Sequence, residues 1–163
     1  MCKMAHFGNC DPETADQEYC IFHKPNKSEE EAVEFYRKFL ERFKPRVEEI
    51  EVDGERMKRL VFEEPVDAKG FVFPTLPKIF FGFSVFNGDV DFRFSIFEEY
   101  ANFSGSIFKN TANFGGCIFK KYADFSGARF LDEAYFWEVV FQGYCDFVQA
   151  EFQKKRNVLA CGI

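Results

Sequence analysis

From residue 86 to residue 152 the chain places a phenylalanine at every fifth or sixth position. The ladder runs Phe86, Phe92, Phe97, Phe103, Phe108, Phe114, Phe119, Phe125, Phe130, Phe136, Phe141, Phe147 and Phe152, with steps that alternate six and five. Two residues before each Phe the side chain is small: Ser84, Val90, Ser95, Ala101, Ser106, Ala112, Cys117, Ala123, Ala128, Ala134, Val139, Cys145 and Ala150. An eleven-residue period also fits a right-handed helical coiled coil. That option fails because Gly105, Gly115, Gly116, Gly127 and Gly143 would each weaken a helix by up to ~1 kcal/mol relative to Ala. Short extended segments joined by tight corners tolerate them. In a small-x-Phe triplet the side chains alternate in, out, in, as in a strand. Four such sides, two of five residues and two of six, close a coil of 22 residues. Stacked coils then pair their backbones at ~4.8 Å. The predicted fold is mainly β, a quadrilateral β-helix over residues 71–153.

Upstream the pattern changes. Ser28 and Glu31 fit a capping box, and Val33, Tyr36, Phe39, Leu40 and Phe43 recur at helical spacing, which predicts a helix over about 29–43 ended by Pro45. The segments RVEEIEV and ERMKRLVF flank Asp53-Gly54, a two-residue turn signal, and predict an antiparallel hairpin over about 46–62. Pro65 to Pro77 reads as a linker or an entry segment. Residues 1–70 then form an N-terminal cap of Cys/His loop, helix and hairpin, because a stack of coils needs atypical ends to cover its core and backbone. Residues 154–163 form a polar tail.

Ala101-Asn102-Phe103-Ser104-Gly105, Ala112-Asn113-Phe114-Gly115-Gly116 and Ala123-Asp124-Phe125-Ser126-Gly127 resemble the pentapeptide-repeat family, in a Phe-centred form with alternating five- and six-residue spacing. The resemblance covers about residues 84–153 and implies a right-handed quadrilateral β-helix. Tyr19-Cys20-Ile21-Phe22-His23 and the helix after it look like leaders seen on some prokaryotic members.

With 22 residues per coil, the outward positions sort into columns. Asp91/Asn113 and Asn102/Asp124/Asp146 are polar, whereas Ile96, Ile118 and Val140 make an apolar stripe and Tyr100, Tyr122 and Tyr144 a tyrosine column. Glu98 is expected against Lys120. These columns are either ordinary strand chemistry or a docking face for another protein.

Composition sharpens the picture in two places. Phe contributes 25 of 163 residues, concentrated after residue 70, as a Phe-lined core requires. The net charge of −6 gives no bulk attraction to nucleic acid or anionic membranes. No apolar run approaches the ~18 residues of a membrane span, and no basic-then-apolar leader opens the chain. A cytoplasmic location is expected, where cysteines ligate metal or lie buried instead of pairing.

Cys2, Cys10, Cys20 and His23 offer three thiolates and an imidazole, the ligand count of a closed structural zinc site. So little apolar sequence in residues 1–27 calls for such a staple. His6 is an alternative ligand for Cys2 or His23, and unligated cysteines are the other reading. Glu13, Asp16 and Glu18 read as solvated loop acids. Cys117 and Cys145 hold the small inward position and are expected as inert core residues. No nucleophile, base or phosphate loop comes together, so no enzyme is predicted.

The expected function is a non-catalytic interaction or scaffolding module for a protein partner, with a homodimer through the C-terminal coil as one option. A DNA mimic acting on a type II topoisomerase, as some family members are thought to act, is the first alternative. Ten acids against five bases over residues 84–153 copy duplex DNA poorly, since ~15 Å of duplex presents about nine charges. RNA or ribosome binding through the zinc loop and Arg37, Lys38, Arg42, Lys44 and Arg46 is the second alternative.

Overall fold

In the computed structural model, residues 1–75 and 81–154 and the backbone of Arg156–Val158 are described. Helix α1 (Glu29–Phe43) starts at the predicted capping box: Ser28 Oγ accepts from Glu31 N, and Glu31 Oε1 accepts from Ser28 N at 3.1 Å. Of the predicted face Tyr36 and Phe39 are buried and Phe43 packs partly buried against the core, joined by Ala32 and Phe35, whereas Val33 is 68% exposed and Leu40 37%. The sequence holds two apolar stripes on this helix, and the one richer in aromatics is the one that packs. Strands β1 (Arg46–Val52) and β2 (Glu55–Phe62) form the hairpin, with Asp53 and Gly54 both at positive φ as its turn demands.

Parallel two- and three-residue strands then stack into a β-solenoid of about four turns. A first face runs from the end of β2 through Val85–Phe86, Ile107–Phe108, Arg129–Phe130 and Glu151–Phe152. The second face holds Val66–Asp67, Val90–Asp91, Ala112–Asn113, Ala134–Phe136 and Arg156–Val158. A third face holds Val72–Phe73, Ile96–Phe97, Ile118–Phe119 and Val140–Phe141, and a fourth Ala101–Asn102, Ala123–Asp124 and Cys145–Asp146. Register from residue 85 onward is n to n+22, as in Ile96↔Ile118↔Val140.

Inside, the Phe columns stack nearly flat. Phe108 and Phe130 lie 4.7 Å apart at 2°, Phe103 and Phe125 5.1 Å at 5°, and Phe114 and Phe136 5.0 Å at 9°. Rings of neighbouring columns meet edge to face, as Phe114 and Phe125 do at 90°. Both arrangements suit the ring quadrupole. The small positions leave space for these rings, and several also satisfy a carbonyl of the coil before: Ser95 Oγ donates to Ala68 O at 2.8 Å, Ser106 Oγ to Phe81 O at 2.6 Å and Cys117 Sγ to Phe92 O at 2.8 Å.

The alternation of five and six has a structural cause. Each five-residue side ends in a left-handed corner, two residues after its Phe, at Gly105, Gly116 and Gly127 and at the non-glycine residues Phe83, Phe94, Glu138 and Gln149. At most of these corners the outward residue before the Phe is Asp or Asn, whose side-chain oxygen accepts the N–H two residues on: Asn102 to Ser104 at 2.9 Å, Asn113 to Gly115 at 2.9 Å, Asp124 to Ser126 at 2.9 Å and Asp146 to Val148 at 2.7 Å. The polar columns are thus turn-forming groups and not merely solvated positions.

The solenoid begins earlier than its sequence pattern. The stretch read as a linker or entry segment from Pro65 to Pro77 contains two rungs, Val66–Asp67 and Val72–Phe73, paired with Val90–Asp91 and Ile96–Phe97. Two departures hide them. In this first coil Ala68 takes a Phe position and Phe71 takes a small one, both fully buried. Phe73 and Phe81 are also eight residues apart, where later coils have six. At the other end Arg156–Val158 pairs with Ala134–Phe136, so part of the supposed tail adds a rung; the rest of 155–163 lies outside the described residues.

Phe114 is wholly buried between two stacked neighbours. Phe114→Ala should cost about 3–5 kcal/mol in urea denaturation, and Phe141→Ala, at a half-buried ring of the last full coil, clearly less.

Candidate functional site

The N-terminal loop folds so that its four predicted ligands converge. A 3-10 turn at Ala5–Phe7 closes on Gly8, and Cys2 N and Lys3 N donate to Ala15 O and Glu18 O, both at 2.8 Å. One helical turn at Cys20–Lys24, with His23 N and Lys24 N both donating to Cys20 O, makes the two-residue spacer bring Cys20 Sγ and His23 Nδ1 to 3.1 Å. Cys2 Sγ and Cys10 Sγ each stand 3.7 Å from the same nitrogen. All four ligand atoms lie within 4.8 Å of one another, close enough to hold a metal ion. A tetrahedral ion with sulfur at ~2.3 Å and nitrogen at ~2.05 Å sets S···N near ~3.5 Å, so the set fits one mononuclear ion. His6 is outside it, exposed, with its ring 4.3 Å from that of Phe7.

The surroundings prepare these atoms. Burial pulls the His23 imidazole down to about 4, against the Lys69 carbonyl that favours its charged form. It is therefore neutral at physiological pH. Its Nε2 faces Lys69 O at 3.3 Å, which fixes the proton there and leaves the Nδ1 lone pair toward the thiols. Burial disfavours the Cys2 thiolate, but N–H groups of Cys20 and Met4 on its sulfur outweigh that and lower its pKa. Burial and the neighbouring thiols push Cys10 up to about 12. Cys10 therefore keeps its proton unless a cation sits among the sulfurs.

Two elements hold the loop. From α1, Arg42 donates to Asn9 O at 2.6 Å and Cys10 O at 2.9 Å while its guanidinium lies 4.5 Å over Phe22, and Lys38 bonds Asp11 at 3.0 Å and Glu13 at 2.6 Å. From the first coil, Lys69 O accepts from His23 and from Asn9 Nδ2 at 3.0 Å, and Phe71 stacks on Phe22 at 4.5 Å and 5°. The centre is therefore a joint between cap and solenoid. Sequence reasoning missed Asn9 and Lys69 and named Lys38 and Arg42 only as candidate RNA contacts, because only the fold brings them to the loop. Of the loop acids, Glu13 meets Lys38 and Glu18 meets Lys3.

On the outer surface, Tyr100, Tyr122 and Tyr144 stack at 5.2 and 5.4 Å, and the hydroxyls of Tyr100 and Tyr122 donate to Asp124 and Asp146. The column therefore leans over the fourth face and away from Ile96, Ile118 and Val140 on the third. Glu98 does not pair with Lys120; it accepts from Asn26 N of the cap at 3.0 Å. Cys117 is a free thiol whose pKa complete burial drives well up. Cys145 is buried too, but is disulfide-bonded and not a free core thiol.

Residues 103–151 match a family model described as pentapeptide repeats (9 copies). The β-solenoid is consistent with that family. No curated protein and no solved structure matches the chain. The pentapeptide-repeat register extends in the structure from the matched segment back to Val61–Phe62. Among the described residues no helix is long and apolar enough to cross a membrane.

Lys38 and Asp11 are both nearly buried. Lys38→Met should strand the Asp11 carboxylate and cost about 1–3 kcal/mol by thermal or urea unfolding. A Lys38→Met/Asp11→Asn double variant should recover part of that loss.

Proposed function

We propose that this protein is a non-catalytic, protein-binding scaffold in which a structural zinc ion locks the cap onto a pentapeptide-repeat solenoid. The observation that carries the reading is the closed ligand set: three thiols and a neutral imidazole, all within 4.8 Å and seated between α1 and the first coil. Four protein ligands fill a tetrahedral zinc shell, leaving no position for substrate, and soft sulfur ligands favour zinc over calcium or magnesium. The solenoid interior is filled by stacked Phe rings, so its outer faces are what remains for recognition.

The DNA-mimic alternative gains nothing from the fold, since Asp91, Asp124 and Asp146 are spent on corner hydrogen bonds and Arg93 and the tyrosines cover them. RNA binding through the helix fares likewise. Arg37 is held by Glu34 and Glu41, Lys38 by Asp11, Arg42 by backbone carbonyls, and Arg46 by Glu48 and Glu63.

The purified chain should contain one zinc per molecule by elemental analysis. Removal by a strong chelator should lower the melting temperature by several degrees or more, and Cys20→Ser or His23→Ala should do the same while making chelation inconsequential. Metal-free protein with an unchanged melting temperature would remove the staple. Because the His23 imidazole is already neutral above about pH 4, acid release of the ion should track protonation of the thiols, with affinity falling steadily below pH 7. Photo-crosslinkers placed at Ile118 in the native host should capture a discrete protein that the same probe at exposed Asn110 does not, and identical products from both would argue against a recognition face.

A further inference from the structure

Among the exposed apolar features of the described residues, two match each other. The first is the third face. Its outward stripe starts at Val72, only 5% exposed, where the cap covers the rung: Val72 N donates to Phe22 O, and Val72 O accepts from Lys27 Nζ at 2.7 Å. Beyond the cap the stripe continues through half-buried Ile96 and Ile118 to Val140, which is 47% exposed. Its border toward the second face is an aromatic ridge, Phe94 against Trp137 at 5.7 Å. Phe94 is 48% exposed and has φ 60°, at a corner that the next coil fills with Gly116. A left-handed conformation costs a bulky residue roughly 1–2 kcal/mol, so a half-exposed ring is held there against a backbone penalty.

The second feature is the outer stripe of α1, Val33 and Leu40, seven residues apart with Arg37 between them. Seven helical residues span ~10.5 Å. Two rungs of the solenoid span ~9.6 Å, and the Phe column behind the stripe repeats at 4.8 and 5.3 Å. Val33 and Leu40 therefore fall in step with the two ends of the Ile96–Val140 stripe when the helix lies along the solenoid axis.

Charge agrees with shape. At ~100° per residue, Glu30, Glu34 and Glu41 run along one side of the α1 stripe, where Arg37 pairs with Glu34 and Glu41 and leaves the flank net acidic, three acids to one base. On the solenoid, Lys120 and Lys121 are exposed beside Ile118, with no ion pair among the described residues. The two features also lie on the same side of the molecule, because Ser28, Glu29 and Val33 of the helix end and Pro74, Glu98 and Glu99 of the solenoid line one cleft of about 680 Å³. A two-fold axis can then seat each helix on the other copy's face and close the assembly.

We infer that the third face binds α1 of a second copy, giving a reciprocal homodimer in which Val33 and Leu40 pack on Ile96, Ile118 and Val140 and the acidic flank of α1 meets Lys120 and Lys121. This rests on reading the solenoid faces as recognition surfaces and names the partner. It differs from association through the last coil, which would leave both stripes in water.

The test is sedimentation velocity of the full, metal-replete chain from about 1 to 500 µM, a range that brackets micromolar dissociation constants. A reversible dimer is expected, and emission of Trp137, the chain's single tryptophan, should shift with its formation. Val33→Lys and Val140→Lys should each weaken association at least tenfold with unchanged melting temperature, since both side chains are exposed. Glu34→Lys and Lys121→Glu should each weaken it several-fold, and the double variant should restore it. A monomer over the whole range, or a dimer indifferent to Val33→Lys and Val140→Lys, overturns the inference. Either result leaves the recognition-face reading standing or falling on the crosslinking at Ile118, which reports any partner.

Discussion

Everything in this molecule depends on phenylalanine rings stacking at the spacing of a parallel β ladder. Backbones of successive coils hydrogen-bond at ~4.8 Å, and rings 4.5–5.3 Å apart in a column reach van der Waals contact at nearly that repeat. Strand pairing and core packing therefore call for the same translation, and neither has to yield to the other. The triplet rule follows. A large ring fills half of each side, so the other inward position has to be small, and the one residue between them faces out. Corners come next, since a chain turning four times per coil needs backbone that ordinary residues resist. Glycine or an Asp/Asn side chain supplies it at most corners, and Phe83 and Glu138 adopt it without either.

The repeating part of this logic is legible in the sequence because each requirement recurs every eleven residues, and thirteen small-x-Phe triplets hold one register. The capping box, the Asp53-Gly54 turn and the four converging Cys/His residues are legible as well, being local chemistry. What escapes is whatever breaks the repeat or depends on contacts distant in sequence. Ala68 and Phe71 exchange sizes, which erases the triplet signal although the pair fills the same volume together. Val33 and Leu40 look like core because they share helical spacing with Tyr36 and Phe43, and only the tertiary choice of the Phe35/Phe39 side leaves them outside. Tyr100, Tyr122 and Tyr144 form the expected stack, but the carboxylates of Asp124 and Asp146 draw two of the hydroxyls onto the fourth face.

The Cys/His loop shows how a segment with few apolar residues is integrated into such a core. It contributes one large ring, Phe22, which continues the flat stacking by lying on Phe71. Its remaining anchors are polar and directional: the Arg42 fork on two carbonyls, the Lys38–Asp11 pair and the Lys69 carbonyl shared by His23 and Asn9. Such bonds depend on geometry far more steeply than hydrophobic contact does. Fixing the four ligand atoms therefore fixes the angle at which the cap meets the solenoid.

The size exchange between Ala68 and Phe71 gives the rod a polarity. Any 22-residue coil between Phe86 and Phe152 presents the same floor and ceiling to its neighbours, so duplication or deletion of such a cassette preserves the register. The first coil has a ceiling of that kind but a floor moulded to Phe22, Phe35 and Phe39. A lineage of such chains can therefore lengthen or shorten above this coil with little cost, while its foundation, and everything bolted to it, is inherited as one piece.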